Sequence, residues 1–385
     1  MDYGLTEQQL MIQELARKVS VEKILPVRAE LDEKEEFPYE PMKALADAEL
    51  FGIYLPEQYG GFNGGALDLC VAVEEISRIC GGVAVSYAAN ALGAYPILLF
   101  GTEEQKQKYL PDIAAGRKYC AFALTEPNVG SDAAAVETTA KKDGDGYILN
   151  GSKQWITNGG VAGTITVIAT VNRARGARGL TVFIVESGMA GFTLGKKEKK
   201  LGIRCSDTRV LYFDNCRVPA ANRLGREGDG FRVAMATFDK SRPGIGAQAV
   251  GIAQGAFEEA VKFAKTREQF GQKISGFQAV QHMIADMATQ IEAARLLVYQ
   301  AAREVDRDSK EAAKISAMAK MYASDVAMKV TVDALQVCGG SGYMREYPVE
   351  KMLRDAKITQ IYEGTNQIQR SIIALAIIRE SANWK

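Results

Sequence analysis

The carboxylate of Glu363 lies between Tyr362 and Gly364 in the run Ile361-Tyr362-Glu363-Gly364-Thr365-Asn366-Gln367-Ile368-Gln369-Arg370, just ahead of an apolar stretch with helical spacing. An acid between an aromatic ring and a glycine suits a base that is half withdrawn from water and closely approached by its substrate. Burial beside the ring disfavours the charged form and raises the pKa. The positive end of the following helix pulls the other way by only about 0.3–1 kcal/mol, so desolvation is expected to win. A base placed in this way contributes roughly 10²–10⁴ in rate. Gly364 is expected to let the main chain come close to a ligand. The simpler reading is a helix-start carboxylate that only stabilises the helix dipole.

Other clusters lie far from Glu363 in sequence. Leu124-Thr125-Glu126-Pro127-Asn128-Val129-Gly130-Ser131-Asp132 follows a strand-like run and offers hydroxyls and amides to a polar ring edge or a phosphate. Alone, it also reads as a plain hairpin loop. Trp155-Ile156-Thr157-Asn158-Gly159 comes next, and an isolated Trp is most often core. Asp239, Lys240, Ser241 and Arg242 sit in a predicted helix and alone read as a solvated face. Arg267-Glu268-Gln269-Phe270-Gly271 carries a guanidinium suited to phosphate oxygens. The single histidine, His282, lies within a periodic helix and reads as a packed or surface residue. One histidine excludes a histidine-rich zinc site and leaves proton transfer to carboxylates. No metal site is expected, and no GxGxxG follows a strand.

The elements that must position these residues fall into three stretches. With 385 residues the chain is too long for one ordinary core. Residues 1–120 read as an N-terminal all-α domain, with a helix start at Thr6-Glu7-Gln8-Gln9, an apolar helical run at 67–79 punctuated by Gly81-Gly82, and a charged helix beginning at Thr102. Residues 121–228 read as a central antiparallel β-barrel or sandwich. Its strands lie near 164–170, 180–185 and 210–213, and a hairpin turn is expected at Asp145-Gly146. Residues 229–385 read as a C-terminal helical bundle domain. Phe277, Val280, Ile284, Met287, Ile291, Ala294, Val298, Ala301 and Val305 form the seam of one long helix, and another runs over 310–337 to a stop at Gly339-Gly340. The fold class is therefore an α+β multidomain chain.

Lys+Arg and Asp+Glu are equal at 47 each, so no basic surplus points to nucleic acid. No export signal is read at the start, and no apolar run is expected to approach the roughly 20 residues that span a bilayer. No membrane partner and a cytoplasmic location are the expectations. The six cysteines are scattered and read as buried or incidental thiols, not a disulfide frame.

In this order and at these separations, the clusters around Leu124, Trp155 and Glu363 resemble the acyl-CoA dehydrogenase family of flavoenzymes, over nearly the whole chain. The resemblance implies FAD as cofactor, an acyl-CoA substrate and α,β-dehydrogenation to the 2-enoyl-CoA. It gives Glu363 the α-proton and flavin N5 the β-hydride, with electrons passed to an electron-transfer flavoprotein. It implies a four-helix bundle for the last domain. It implies that Phe122, Leu124, Thr125, Gly130 and Ser131 line the flavin, with Ser131 also facing the CoA portion. Trp155, Ile156 and Thr157 would form the flavin wall, and Thr365, Asn366 and Gln367 its remaining contacts beside the base. Tyr362 and Gly364 would flank the substrate, and Asp239, Lys240, Ser241 and Arg242 would meet its CoA. The Glu363 amide would donate to the thioester oxygen, a kind of contact worth about 3–4 kcal/mol. Arg267 would meet the cofactor's pyrophosphate, with Phe270 and Gln278 near the adenosine end. Gln336, Val337, Cys338, Gly339 and Gly340 match a pyrophosphate-contacting turn. In the family these come partly from a neighbouring subunit, which implies a homotetramer or at least a dimer. Some members carry their catalytic Glu at the place matching Ser241; here that place has no carboxylate.

Relatives acting on dicarboxylyl-CoA carry a cation in the stretch matching 79–101, and this chain has no Lys or Arg there. A neutral acyl group, short, branched or cyclic, is expected. The alternatives are an acyl-CoA oxidase or enoyl-CoA reductase on the same fold, or a non-catalytic binding member. Peroxide release without an added acceptor would mark the oxidase. Tight duplex binding with no flavin bleaching would mark the binding member.

Overall fold

The computed structural model describes residues 3–382. Its first layer holds α1 (Glu7–Val19), α2 (Arg28–Lys34), α3 (Tyr39–Asp47), α4 (Ala66–Ile79), α5 (Gly81–Phe100) and α6 (Glu103–Ala114). Thr6 and Thr102 cap α1 and α6, and each accepts from the backbone N–H three residues on, while Gln9 and Gln105 return the bond. These reciprocal boxes satisfy amides that a helix start leaves without partners.

The expectation that no apolar run is long enough to cross a bilayer is corrected by α5. Its 20 residues pass that test by length and composition. The cause is burial: 72% of its window lies inside the protein, against α4, α6, α7, β1 and β4. A helix covered on all sides is apolar on all sides.

The central layer has β1 (Tyr119–Ala123), β2 (Thr139–Asp143), β3 (Gly146–Thr157), β4 (Ala162–Thr170), β5 (Leu180–Glu186), β6 (Phe192–Lys197), β7 (Thr208–Pro219) and β8 (Arg223–Leu224). They form one eight-stranded sheet in the order β6-β7-β3-β2-β4-β5-β8, with β1 joined to β4. Most pairings are antiparallel, but β1 runs parallel to β4, and β2 meets β4 parallel at Thr139 and Thr170. The β2–β3 hairpin lies between β1 and β4 in sequence and gives the chain length that a parallel crossover needs. That hairpin turns at Gly144-Asp145, one residue earlier than the sequence suggests, because Asp143 pairs with Gly146 and Gly144 takes φ +57°.

The last layer has α7 (Gly230–Thr266), a hairpin of β9 (Glu268–Gln269) and β10 (Gln272–Lys273), α8 (Gln278–Asp306), α9 (Ala312–Gly342), α10 (Val349–Ala356) and α11 (Asn366–Ser381). Helices α7, α8 and α9 pack on one another and α11 packs on α9. The α8 seam is buried at Met287, Ile291, Ala294, Val298, Ala301 and Val305, and His282 faces out. The helical path of α9 breaks at Gly339, whose φ is +57°. All six cysteines are buried and free.

Candidate active site

A cavity of about 880 Å³ opens between the central sheet and the C-terminal helices. Its wall includes Leu124, Thr125, Gly130 and Ser131 from the loop after β1, Trp155 and Thr157 from β3, Arg242 from α7, and Tyr362, Glu363, Gly364 and Thr365 ahead of α11.

Glu363 and Gly364 both take left-handed backbone angles, at φ +51° and +90°. For a glutamate this costs energy that surrounding contacts must over-determine. Those contacts are present. Gln369 Nε2 donates to the carbonyls of Glu363 (3.1 Å) and Gly364 (3.0 Å), and Lys320 Nζ donates to Gly364 O at 2.8 Å. Thr365 caps α11 by accepting from Ile368 N at 3.3 Å. At φ +90° the turn itself favours glycine at 364, apart from any ligand approach, and a Cβ there would also displace Gln369 Nε2, 2.7 Å away, from its bonds to the turn.

The Glu363 carboxyl meets α7. Ser241 Oγ donates to Glu363 Oε2 at 2.5 Å. Burial pushes the Glu363 pKa up to about 7, against the opposing pull of the Ser241 hydroxyl, Arg242 and Lys320. Arg242 is itself buried and donates to Asp239 at 2.6 Å, while its Nε has no partner within the protein. The Tyr362 hydroxyl bonds to the Gln248 side-chain oxygen, and burial lifts the phenol well above its ordinary range.

The loop after β1 rests on a buried ion pair. Lys153 Nζ reaches Glu126 Oε1 at 2.6 Å and Leu124 O at 2.9 Å. Glu126 also accepts from the amides of Glu137 (2.6 Å) and Thr138 (3.0 Å). Burial acts to raise the Glu126 pKa, and Lys153 with these donors outweighs it, leaving the carboxyl below its ordinary range. Burial lowers Lys153 to about 8.

Trp155 sits where the β3–β7 register shifts, at φ +59°, and is 58% exposed on the cavity wall. A bulky residue at positive φ is a genuine outlier, and no protein core rewards it here. An exposed indole on a wall that also carries Thr125, Thr157 and Arg242 fits a flat ring with a polar edge such as a flavin. Ile156, between Trp155 and Thr157, points the other way into the sheet core, as strand alternation requires.

Other expected residues are placed differently. Phe122 lies behind the wall, its ring 5.6 Å edge-on from Phe238. Asn366 turns into α9, donating to Ser324 Oγ and Asp325 Oδ1, both at 2.8 Å. Gln367 is exposed off the wall, and Lys240 lies 6.0 Å over the Tyr95 ring. Arg267, Phe270, Gln278, Gln336, Gly339 and Gly340 are exposed, and Val337 and Cys338 are buried in α9; none of these described residues lines the cavity. Sequence reasoning missed Lys320, Gln369 and the Glu126–Lys153 pair. The signal for Lys320 was a lysine on the small-residue face of α9, between Ala317, Ala319 and Ala323.

Comparison with known proteins follows the same three layers. Family models described as acyl-CoA dehydrogenase N-terminal, middle and C-terminal domains match residues 6–117, 121–216 and 228–378. The structure of butyryl-CoA dehydrogenase from Megasphaera elsdenii superposes with TM-score 0.96 at 46% identity, over 98% of this chain and 100% of that one. A chain solved in work on the electron transferring flavoprotein of Acidaminococcus fermentans and flavin-based electron bifurcation gives TM-score 0.97 at 49% identity, over 98% and 100%. Acryloyl-CoA reductase (NADH) from Anaerotignum propionicum is 46% identical over 98% of this chain and 96% of its own length.

Proposed function

Because the chain belongs to the acyl-CoA dehydrogenase family of flavoprotein oxidoreductases, we propose that it removes hydrogen from Cα and Cβ of a short, branched or cyclic neutral acyl-CoA, with Glu363 as the base that takes the α-proton. The observation that carries this reading is a cavity-wall carboxyl raised to about 7 by burial, since a base works best when its pKa lies near the working pH. The Glu363 carboxylate takes the proton at Oε2 or Oε1, and the Ser241 hydroxyl fixes its orientation. The chain's backbone bonds to Ile358 O stop at Tyr362 N and give the Glu363 amide no backbone acceptor among the described residues, in keeping with a donor role toward a thioester oxygen.

FAD, when bound, supplies the two-electron acceptor. Leu124, Thr125, Gly130, Ser131, Trp155, Thr157 and Thr365 would hold its ring, and the backbone at Phe122, Ile156, Asn366 and Gln367 would contribute without their side chains. Arg267, Phe270, Gln278 and the turn of Gln336, Val337, Cys338, Gly339 and Gly340 would take the pyrophosphate and adenosine end of a neighbouring protomer's cofactor. The exposure of Arg267, Phe270, Gln278, Gln336, Gly339 and Gly340 away from the Glu363 wall supports that assignment and an oligomer, a homotetramer in our reading. Arg267→Ala is expected to lower the flavin-to-protein ratio of the purified enzyme while leaving its melting profile cooperative. An unchanged ratio would remove Arg267 from the clamp.

An electron-transfer flavoprotein is the proposed electron partner, in line with the likeness to the Acidaminococcus chain. The neutral-substrate reading rests on α5, which carries no cation to pair a second carboxylate, so burying one there would be costly. Anaerobic titration with a panel of acyl-CoAs tests the whole reading through loss of flavin absorbance. Butyryl-CoA should bleach the flavin, with a kcat/KM above that of glutaryl-CoA. The reverse order would overturn the substrate class, and no bleaching by any thioester would overturn the reaction. The likeness to acryloyl-CoA reductase favours a second reading, in which the same site runs toward the saturated thioester.

A further inference from the structure

We infer that Lys320 is a positioning residue for the base: it holds the left-handed turn that carries Glu363 and supplies positive charge that favours the ionised form of this carboxyl. The inference rests on the reading of Glu363 as base. Lys320 is fully buried on α9, and its Nζ donates to Gly364 O at 2.8 Å and to Asn366 Oδ1 at 3.0 Å. Both acceptors are neutral, and a buried ammonium without a carboxylate partner is expensive.

Hydrogen-bond satisfaction does not require it. Gly364 O also accepts from Gln369 Nε2 at 3.0 Å. What Lys320 adds to the turn is therefore charge. The groups that act on Glu363 are Ser241 and Arg242 from α7, Lys320 from α9, Tyr95 from α5 and its own neighbour Tyr362, while Asp239 acts on Arg242 and Asp325 on Lys320. Arg242 is engaged by Asp239 at 2.6 Å, and Asp325 by Arg370 at 3.0 Å. Among these described groups Lys320 is the cation with no carboxylate bonded to it. Burial lowers it to about 7, and the Glu363 charge opposes that shift.

The test is the pH profile of anaerobic flavin reduction in the holoenzyme, measured for wild type, Lys320→Met, Lys320→Gln and Glu363→Gln. Removing the cation raises the carboxyl pKa, so the acid limb should move up by about one pH unit. Reduction then becomes on the order of tenfold slower below the limb and converges with wild type at high pH. Lys320→Gln keeps a donor for the turn without the charge, and should shift the limb as Lys320→Met does. A limb that stays in place, with a uniform loss at every pH, would overturn the inference. So would failure of both variants to fold, which would make Lys320 a structural residue. If Glu363→Gln reduces flavin at the wild-type rate, the base assignment itself falls, whatever Lys320 does.

Discussion

Glu363→Gln is expected to keep its flavin, bind acyl-CoA and lose flavin reduction by at least about 10²–10⁴, the range a positioned base supplies. Glutamine matches glutamate in shape and still accepts from Ser241 Oγ, now 2.5 Å from Glu363 Oε2, but it cannot take a proton. Single-turnover mixing without oxygen reads this loss directly. Retained reduction would place the base elsewhere. Stability should move the opposite way. Below pH about 4.5 the carboxyl is protonated whether the chain is folded or not. Between there and about 7 only the unfolded chain releases its proton, so the folded state loses ground as pH rises. Glutamine has no such proton, and the variant should melt no lower than the parent at pH 8.

Lys153→Met should be the most damaging change outside the turn. It strands Glu126 in a site where both side chains are almost wholly excluded from water. Removing one partner of such a pair typically costs about 3–5 kcal/mol, far more than the pair contributes against an apolar substitute. Leu124 O loses its donor as well, and Leu124 forms part of the cavity wall. Chemical unfolding should show the stability loss, and flavin content should fall with it. Adding Glu126→Gln removes the stranded charge and should return part of the loss. A single-variant cost below about 1 kcal/mol would mean the loop is held by other contacts.

The helices with chemical punctuation were legible in the sequence. Thr6 and Thr102 announce α1 and α6, and the three-and-four spacing from Val280 to Val305 gives α8. The helix α5 carries no such mark, because a segment buried on every side has no polar face to set a period. The site was legible wherever its residues cluster: Tyr362, Glu363, Gly364 and Thr365 line one cavity with Leu124, Thr125, Trp155 and Thr157. Single residues within those clusters were not. Ile156 follows strand alternation into the core, and Asn366 opens α11 facing α9. Lys320, Gln369 and Lys153 act through contacts that only the folded chain creates, and each alone reads as an ordinary polar residue.

Ser241 and Glu363 are 122 positions apart and yet within one hydrogen bond of each other. A proton acceptor rooted at either place would therefore project into the same space. On the reading of Glu363 as base, a carboxylate at position 241 is expected to serve the same substrate from a second address, and flavin reduction by a Ser241→Glu, Glu363→Gln double variant checks this.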